Sequence, residues 1–261
     1  MNLLGMSIFR VMSSSSPFGS VLSQDCTLCG VRSHASLCDA CHRDLPFRQA
    51  LGCPRCNAIS TDHQVCGACL SDPPHFDDTI SAFRYAFPLD RLVQAYKFNA
   101  NLGLLSLFAD ALASAIRANT ADVKADLVIP LPLAPKRLAE RGFNQSALLG
   151  ANIAKALGIR FEARGMLRVR ETPPQTGLNR EARLKNVRGA FDCARRLEGR
   201  HVAVVDDVMT TGATLSEAAK VLKKAGAARV SAWVVARATK DERDVAVGND
   251  LETVPFHNIQ R

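Results

Sequence analysis

The sequence predicts an α/β protein in which a mainly parallel sheet follows a small cysteine-rich segment. Three observations support this class. Eight of the nine cysteines lie within 44 residues near the N-terminus. From residue 79 onward, short apolar runs typical of buried strands alternate with longer Ala- and Leu-rich stretches at helical spacing. Hydrophobic residues make up 47% of the 261 residues and charged residues 22%, as in chains that fold around a core.

Residues 1–25 are predicted to form a tail. The run from Met1 to Val11 is apolar, but Arg10 comes late in it, and serines follow where a secretory signal would have its cleavage site. No run of 18 apolar residues occurs, so no membrane span is expected. We therefore expect a cytoplasmic protein divided into an N-terminal tail (1–25), a cysteine-rich segment (26–75), an α/β body (76–240) and a C-terminal tail (241–261).

The cysteine-rich segment predicts two structural zinc sites. Two C-x-x-C turns can complete one tetrahedral site of four thiolates, and the bound metal supplies folding energy that so short a segment lacks. Disulfides are the alternative, but they fit poorly with a chain that has no export signal. The short gaps favour sequential pairing of the turns over interleaved pairing, which stays open. The four pairs are Cys26/Cys29, Cys38/Cys41, Cys53/Cys56 and Cys66/Cys69.

The body is predicted to alternate strands with helices. Strands are expected at 79–86, 126–131, 201–205 and 229–236, and helices at 90–98, 102–118, 146–157 and 215–225. The last helix is expected to start at a T-x-x-E capping box formed by Thr214 and Glu217. Parallel sheets bind ligands at the carboxyl ends of their strands, so the segments after Ile129 and Val205 are the candidate site.

The segment after Val205 has the chemistry of a phosphate site. Unpaired N–H groups at a helix N-terminus bind phosphate, threonine hydroxyls add donors, and Gly212 lets the backbone come close to an anion. A helix cap alone would not explain two adjacent acids. They fit a ligand that also presents hydroxyls or Mg²⁺, as a ribose phosphate does. The candidate binding residues are Asp206, Asp207, Thr210, Thr211, Gly212, Ala213 and Thr214.

Two basic segments are candidates for holding a pyrophosphate group. Arginine presents a planar fork of donors that suits such a group, and a Pro- and Gly-containing loop can close over a site as a lid. Between residues 136 and 200, fifteen Lys and Arg stand against six Asp and Glu, which accounts for the net charge of +8 and favours an anionic partner. Taken singly, each segment also fits a solvated surface. The candidates are Lys136, Arg137 and Arg141 in the first segment and Gln175, Thr176, Arg180 and Arg183 in the second.

Together these segments resemble the ComF family of competence proteins, also called ComF/GntX-like. The resemblance runs from Cys26 to Ala238 and rests on PLPLAPKRLAERGFNQ, TPPQTGLNREARLKNVRGAF and VVDDVMTTGAT behind the cysteine-rich segment. The last of these is similar to the 5-phosphoribosyl-1-pyrophosphate (PRPP) signature of type I phosphoribosyltransferases. The resemblance implies a type I phosphoribosyltransferase-like fold behind a double zinc ribbon, with PRPP bound together with Mg²⁺. It also implies a role in DNA uptake or in the use of DNA as a nutrient, with single-stranded DNA and DNA-uptake proteins as partners.

Two functions stay open on the sequence alone. One is a phosphoribosyltransferase that moves phosphoribosyl from PRPP to an unidentified acceptor and releases pyrophosphate, with unknown catalytic residues. The other is a DNA-handling factor in which PRPP is a regulatory ligand. Thr210 stands where the similar 6-oxopurine enzymes carry Asp, which argues against purine salvage. No Tyr or Trp lies in the cysteine-rich segment, which leaves Phe47 and Phe76 as the nearest candidates for stacking on bases.

Overall fold

A five-stranded parallel sheet forms the centre of the molecule. The structure is a computed structural model that describes residues 23–48, 52–60, 63–98, 101, 103–119, 124–170 and 185–238. The strand order is β3-β9-β8-β4-β5, and every neighbouring pair is parallel. The five strands are β3 (Asp78–Arg84), β4 (Leu127–Pro130), β5 (Arg160–Phe161), β8 (His201–Met209) and β9 (Arg229–Arg237).

Two short antiparallel hairpins accompany the sheet. One joins β1 (Gln24–Asp25) to β2 (Arg32–Ser33) in the cysteine-rich segment, and the other joins β6 (Leu167–Arg168) to β7 (Phe191–Asp192). The helices are α1 (Asp39–Arg43), α2 (Gly67–Ser71), α3 (Leu89–Phe98), α4 (Gly103–Asn119), α5 (Pro135–Arg141), α6 (Gln145–Leu157) and α7 (Ala213–Lys224). No helix in the described ranges is both long and apolar enough to cross a bilayer.

The alternation of side chains along the central strands builds a core on each face of the sheet. On one face, Val205 of β8 and Trp233 of β9 pack against α3, α4 and α6. On the other, Val204 and Val234 pack against α7. Successive strand residues point to opposite faces, so a sheet covered on both faces has continuous apolar strands. This explains why the strands are unbroken apolar runs in the sequence.

The cysteine-rich segment wraps around the edge of the sheet formed by β3. Cys26 belongs to the core on the α4 side, whereas Cys53, Cys56 and Cys69 belong to the core on the α7 side. Between these two groups the backbone of residues 46–48 pairs with β3: the Arg48 N–H donates to Ala82 O, and the Arg84 N–H donates to Pro46 O, each at 2.9 Å. The segment thus contacts both faces and the open edge.

The element predictions are confirmed to within a few residues, with one larger difference. β8 continues to Met209, four residues past its expected end, because its pairing with β9 extends to Arg237. The two acids therefore lie inside a strand and not after it. The boundaries at residues 25/26, 75/76 and 240/241 stay predictions, and most of both tails lies outside the described residues.

Candidate functional site

The two adjacent acids lie at the carboxyl end of the central strand β8, next to the start of α6. Asp206 Oδ1 accepts hydrogen bonds from Ser146 Oγ at 2.9 Å and from the Asp207 N–H at 2.9 Å. Burial, with Asp207 beside it, raises the pKa of Asp206 to about 7. Ser146 is held by the start of its helix, where the Asn144 side chain accepts from the N–H groups of Ser146 and Ala147.

Lys97 pairs with the second acid. Its Nζ lies 2.9 Å from Asp207 Oδ1, and the two side chains are 23% and 12% exposed. Burial alone would lower the pKa of Lys97, but Asp207, Asp206 and Tyr85 together outweigh burial and the pKa is raised. Lys97 lies near the end of α3. The residue before it, Tyr96, is fully buried and donates its hydroxyl hydrogen to Gln145 O at 3.1 Å. Lys97 is therefore held in place by the packing of α3 against α6 and by the ion pair with Asp207 of β8.

The loop between β8 and α7 (residues 210–212) brings the backbone of a helix start beside the acids. Gly212 has a φ of 80°, so the turn requires glycine, whereas Met209 Cε, 2.7 Å from an added Cβ, is the end of a flexible side chain that could shift. Thr210, Thr211 and Thr214 are partly exposed, while Gly212 and Ala213 are buried. Helix α7 starts at Ala213, which supplies a polar, positively polarised N-terminus at the end of the strand.

The expected capping box at Thr214 and Glu217 is wrong. Gly212 is the residue that precedes the helix, and its cap has no side-chain hydrogen bond. Glu217 Oε1 instead accepts the backbone N–H of Gly189 at 2.9 Å, 28 residues away. The carboxylate of Glu217, which the local sequence pattern assigned to the helix start, therefore accepts a hydrogen bond from a residue distant in sequence.

Arg141, one of the predicted basic residues on α5, lies in the electrostatic field of the acids. Arg141 is half-buried, and Asp207 and Asp206 act on it against the burial that lowers its pKa. Arg137 is also partly buried and close enough to Arg141 to lower its pKa further. Lys136 is exposed on the same helix. The structure thus places Arg141 near the acids and Arg137 near Arg141, with Lys136 exposed to solvent.

Arg168 is a site residue that the sequence did not reveal. It lies on β6, its guanidinium carbon is 5.5 Å from the centre of the Phe191 ring, and Asp206 acts on its charge. Burial and the neighbouring Arg137 lower its pKa. Sequence distance hides it, because β6 is more than 35 residues from Asp206 and the hairpin is only two residues long on each side.

The second basic segment falls where the structure gives no description. Gln175, Thr176, Arg180 and Arg183 lie outside the described residues, so their part as a lid stays a prediction. The two flanks of this segment are nevertheless close together. Arg170 NH2 donates to Asn186 O at 2.8 Å and to Arg188 O at 2.6 Å, and the Val169 N–H donates to Ala190 O. The described residues on either side of this segment are therefore bonded to each other, close to the hairpin that carries Arg168.

The eight paired cysteines form two groups of four in sequential order. Within each group the sulfur atoms lie within 4.8 Å of one another, so each group could hold a metal ion. The separations between Cys29 and Cys38 (3.7 Å) and between Cys56 and Cys66 (3.6 Å) are close to the ~3.8 Å between sulfurs of a tetrahedral zinc site with bonds of about 2.3 Å. Sequential pairing is thus what the fold contains: Cys26, Cys29, Cys38 and Cys41 form the first group, and Cys53, Cys56, Cys66 and Cys69 form the second.

Backbone donors support a thiolate at Cys53 in the second group. Burial would raise the pKa of Cys53, but backbone N–H donors from Cys56 and Cys66 outweigh it, and the pKa falls to about 7. The Cys66 N–H lies 3.3 Å from Cys53 Sγ. Such N–H donors stabilise the charged sulfur that a metal requires.

Comparisons with known proteins give relatives over most of the chain. A family model described as phosphoribosyl transferase domain matches residues 146–254. DNA utilization protein YhgH of Escherichia coli O6:H1 is 34% identical over 81% of this chain and 96% of that protein. Competence protein F of Haemophilus influenzae is 34% identical over 77% of this chain and 90% of that protein. A structure of adenine phosphoribosyltransferase from Saccharomyces cerevisiae is 18% identical, covers 57% of this chain and 77% of that one, and has a TM-score of 0.38.

Proposed function

Because the chain belongs to the ComF family and combines a phosphoribosyltransferase-like domain with two four-cysteine ribbons, we propose that it binds PRPP and single-stranded DNA. Its relatives are named for DNA utilization and for competence, and we propose that it acts in DNA uptake or in the use of DNA as a nutrient. The observation that carries PRPP binding is the acid pair at the end of β8, which continues directly into the β8–α7 loop.

Each part of PRPP has a counterpart at this site. Carboxylates of Asp206 and Asp207 are acceptors for the two ribose hydroxyls, and the N-terminus of α7 with its threonines suits the 5′-phosphate. Arg137, Arg141 and Arg168 form a positive side that suits the pyrophosphate. Mg²⁺ would accompany the pyrophosphate and neutralise part of its charge, held by one or two carboxylates and by phosphate oxygens.

Calorimetric titration with PRPP, with and without Mg²⁺, tests this proposal. We expect saturable binding by the wild-type chain, and a loss of at least about tenfold in affinity in Asp206→Asn/Asp207→Asn, because amides hold ribose hydroxyls less strongly than charged acceptors do. Asp110→Asn is the matched control, since Asp110 is an exposed residue of α4. Wild-type affinity in the double variant would exclude the acid pair from the site.

A phosphoribosyl transfer reaction is the second candidate function. The arginines beside the acids favour it, since they would stabilise the charge of a departing pyrophosphate. Catalysis would then rest on positioning PRPP and on electrostatics, with no assigned general base. Incubation with PRPP, Mg²⁺ and candidate acceptors should release pyrophosphate in the wild-type chain and not in Arg141→Gln. Pyrophosphate release that is equal in both would remove Arg141 from this role.

Binding of single-stranded DNA would rest on charge and not on base stacking. Phe76 is 1% exposed and offers no face to a base, whereas Phe47 is 42% exposed but already contacts the rings of His42 and Phe83. Binding through phosphates weakens steeply with salt because bound counterions are released. We expect the affinity for an oligonucleotide to fall by at least about tenfold between 50 and 200 mM salt. Affinity that does not change over this range would contradict a phosphate-dominated interface.

Zinc is the metal proposed for both cysteine groups, because four thiolates in tetrahedral spacing suit it. None of these eight cysteines is in a disulfide. Thiols of this kind persist in a reducing compartment, so we propose the cytoplasm as the location.

A further inference from the structure

Arg237 is a buried charge at the end of β9 that joins two parts of the molecule. Arg237 is 7% exposed. Nε donates to Cys56 O at 2.8 Å, and one terminal nitrogen donates to Met209 O at 3.2 Å and also to Thr210 O and Ala238 O. A guanidinium removed from water needs such acceptors, because an unpaired buried charge is costly. Within the described residues, every hydrogen bond of this side chain ends on a backbone carbonyl.

The acceptors belong to the second cysteine group and to the proposed PRPP site. Cys56 is a member of that group, and Met209 and Thr210 are the last residue of β8 and the first of the β8–α7 loop. Two more contacts follow the same route. The His75 N–H donates to Ser216 Oγ at 3.0 Å, and Phe76 packs beside Gly212. The second group and the loop are therefore joined through one side chain and a short packed segment.

The first cysteine group contacts a different part of the fold. Ser36 Oγ donates to Gly103 O at 2.6 Å, at the start of α4. Cys26 and Leu37 pack in the core on the α4 side of the sheet. The chain thus contains two groups of the same ligand chemistry, of which the second is joined to the β8–α7 loop by Arg237.

We propose that Arg237 is a positioning residue that links metal at the second cysteine group to PRPP affinity. Ligation fixes the turn from Cys53 to Cys56 and with it the carbonyl of Cys56. This carbonyl orients the guanidinium, which holds the carbonyls of Met209 and Thr210 and so the shape of the loop. The inference rests on the proposed PRPP binding. Because linkage is reciprocal, PRPP must also tighten metal binding at the second group.

Two matched cysteine variants of the full chain test this linkage. Cys66→Ser and Cys38→Ser each alter one partly exposed cysteine, in the second and in the first group. Metal analysis should give about one ion fewer per chain in each variant. Calorimetry with PRPP and Mg²⁺ should show an affinity lowered about 5- to 150-fold in Cys66→Ser, the range of typical couplings, and a change within about twofold in Cys38→Ser. Equal affinities in the two variants would overturn the linkage.

Arg237→Lys tests the side chain itself while leaving all eight ligands. A lysine keeps the charge but has a single nitrogen, so it cannot hold Cys56 O through one nitrogen and the loop carbonyls through another, as the guanidinium does. We expect an unchanged metal content with a weaker PRPP affinity. A PRPP affinity equal to that of the wild type would remove Arg237 from the linkage, and this variant also covers the case in which Cys66→Ser does not fold.

Metal release gives a readout that does not depend on an assay of activity. In Cys38→Ser only the second group is expected to stay loaded, and in Cys66→Ser only the first. Saturating PRPP should slow metal loss to a chelator in Cys38→Ser and leave it unchanged in Cys66→Ser. Equal release rates with and without PRPP in Cys38→Ser contradict the linkage alone, whereas absence of PRPP binding by the wild-type chain overturns the proposed function and the linkage with it.

Discussion

At the scale of single residues, the protonation of Asp206 is the property with the clearest consequence. Burial and Asp207 raise its pKa from 3.8 to about 7. The folded chain therefore keeps a proton that the unfolded chain releases, and stability is lost as the pH rises between these two values. The same rise in pH creates the carboxylate that is the better acceptor for a ribose hydroxyl. Stability and ligand affinity should thus change in opposite directions near neutral pH.

Asp206→Asn should separate the two effects. We expect the variant to melt at a higher temperature than the wild type at pH 8, with little difference at pH 4.5, because an amide has no charge to bury. Each kcal/mol corresponds to about 2–4 °C for a chain of this size. Thermal unfolding followed by the fluorescence of Trp233, the one Trp of the sequence, is the measurement. A melting difference independent of pH would contradict the raised pKa.

The ion pair between Lys97 and Asp207 should stabilise the fold. Lys97→Met leaves a mostly buried carboxylate without this partner, and we expect a loss of about 1–3 kcal/mol at pH 8, less than for a fully buried pair because Lys97 is partly exposed. The double variant Lys97→Met/Asp207→Asn should lose less than the sum of the single changes. Urea unfolding measures this cycle. The exposed pair of Arg32 and Asp25 is the control, and its cycle should be close to additive.

The sequence indicated the residues of this site where the chemistry is local. The acids and the glycine of the loop follow from a strand, a turn and a helix start within eleven residues. Lys97 and Arg168 come from distant elements, and neither is among the binding residues predicted from the sequence. Only the packing of α3 and of the β6–β7 hairpin against the sheet brings them there, which single-sequence patterns do not report.

At the scale of elements, the start of α7 shows where local patterns mislead. Thr214 and Glu217 have the spacing of a capping box, yet the helix begins one residue before Thr214 and Glu217 bonds to Gly189. Strand and helix cores were predictable because their apolar periodicity reflects burial. Their ends were less so, because the end of β8 is decided by how far its partner β9 extends.

Gly212→Ala should test the loop that precedes this helix. Its left-handed φ predicts a loss of about 1–2 kcal/mol, because Met209 Cε, 2.7 Å from the added Cβ, can shift at little cost, and this shift beside the loop should weaken PRPP binding. Gly142→Ala is the matched control: its φ is 76°, but nothing lies within 4 Å of the added Cβ, so only the backbone cost of about 1–2 kcal/mol is expected. Urea unfolding should give similar losses for the two variants, and a PRPP affinity of Gly212→Ala equal to that of the wild type would contradict a part of this loop in binding.

At the scale of the whole molecule, metal content is the first quantity to measure. Two groups of four sulfurs predict two zinc ions per chain in elemental analysis. Stripping both with a chelator should lower the melting temperature, because binding free energy at such sites is folding free energy. A content of one ion or none would contradict the double ribbon.

Metal binding should also protect β3, the strand at the edge of the sheet, from pairing with other chains. An uncovered β3 would present a row of free N–H and C=O groups to any other extended chain, and such edges promote aggregation. Residues 46–48 pair with part of that row, at Ala82 and Arg84, and they lie between Cys41 of the first group and Cys53 of the second. Metal loss at both groups would release the cover at its two ends. The zinc-depleted protein should therefore scatter light and precipitate before its central sheet unfolds. The two metal sites would then keep the protein soluble by holding in place the segment that pairs with β3.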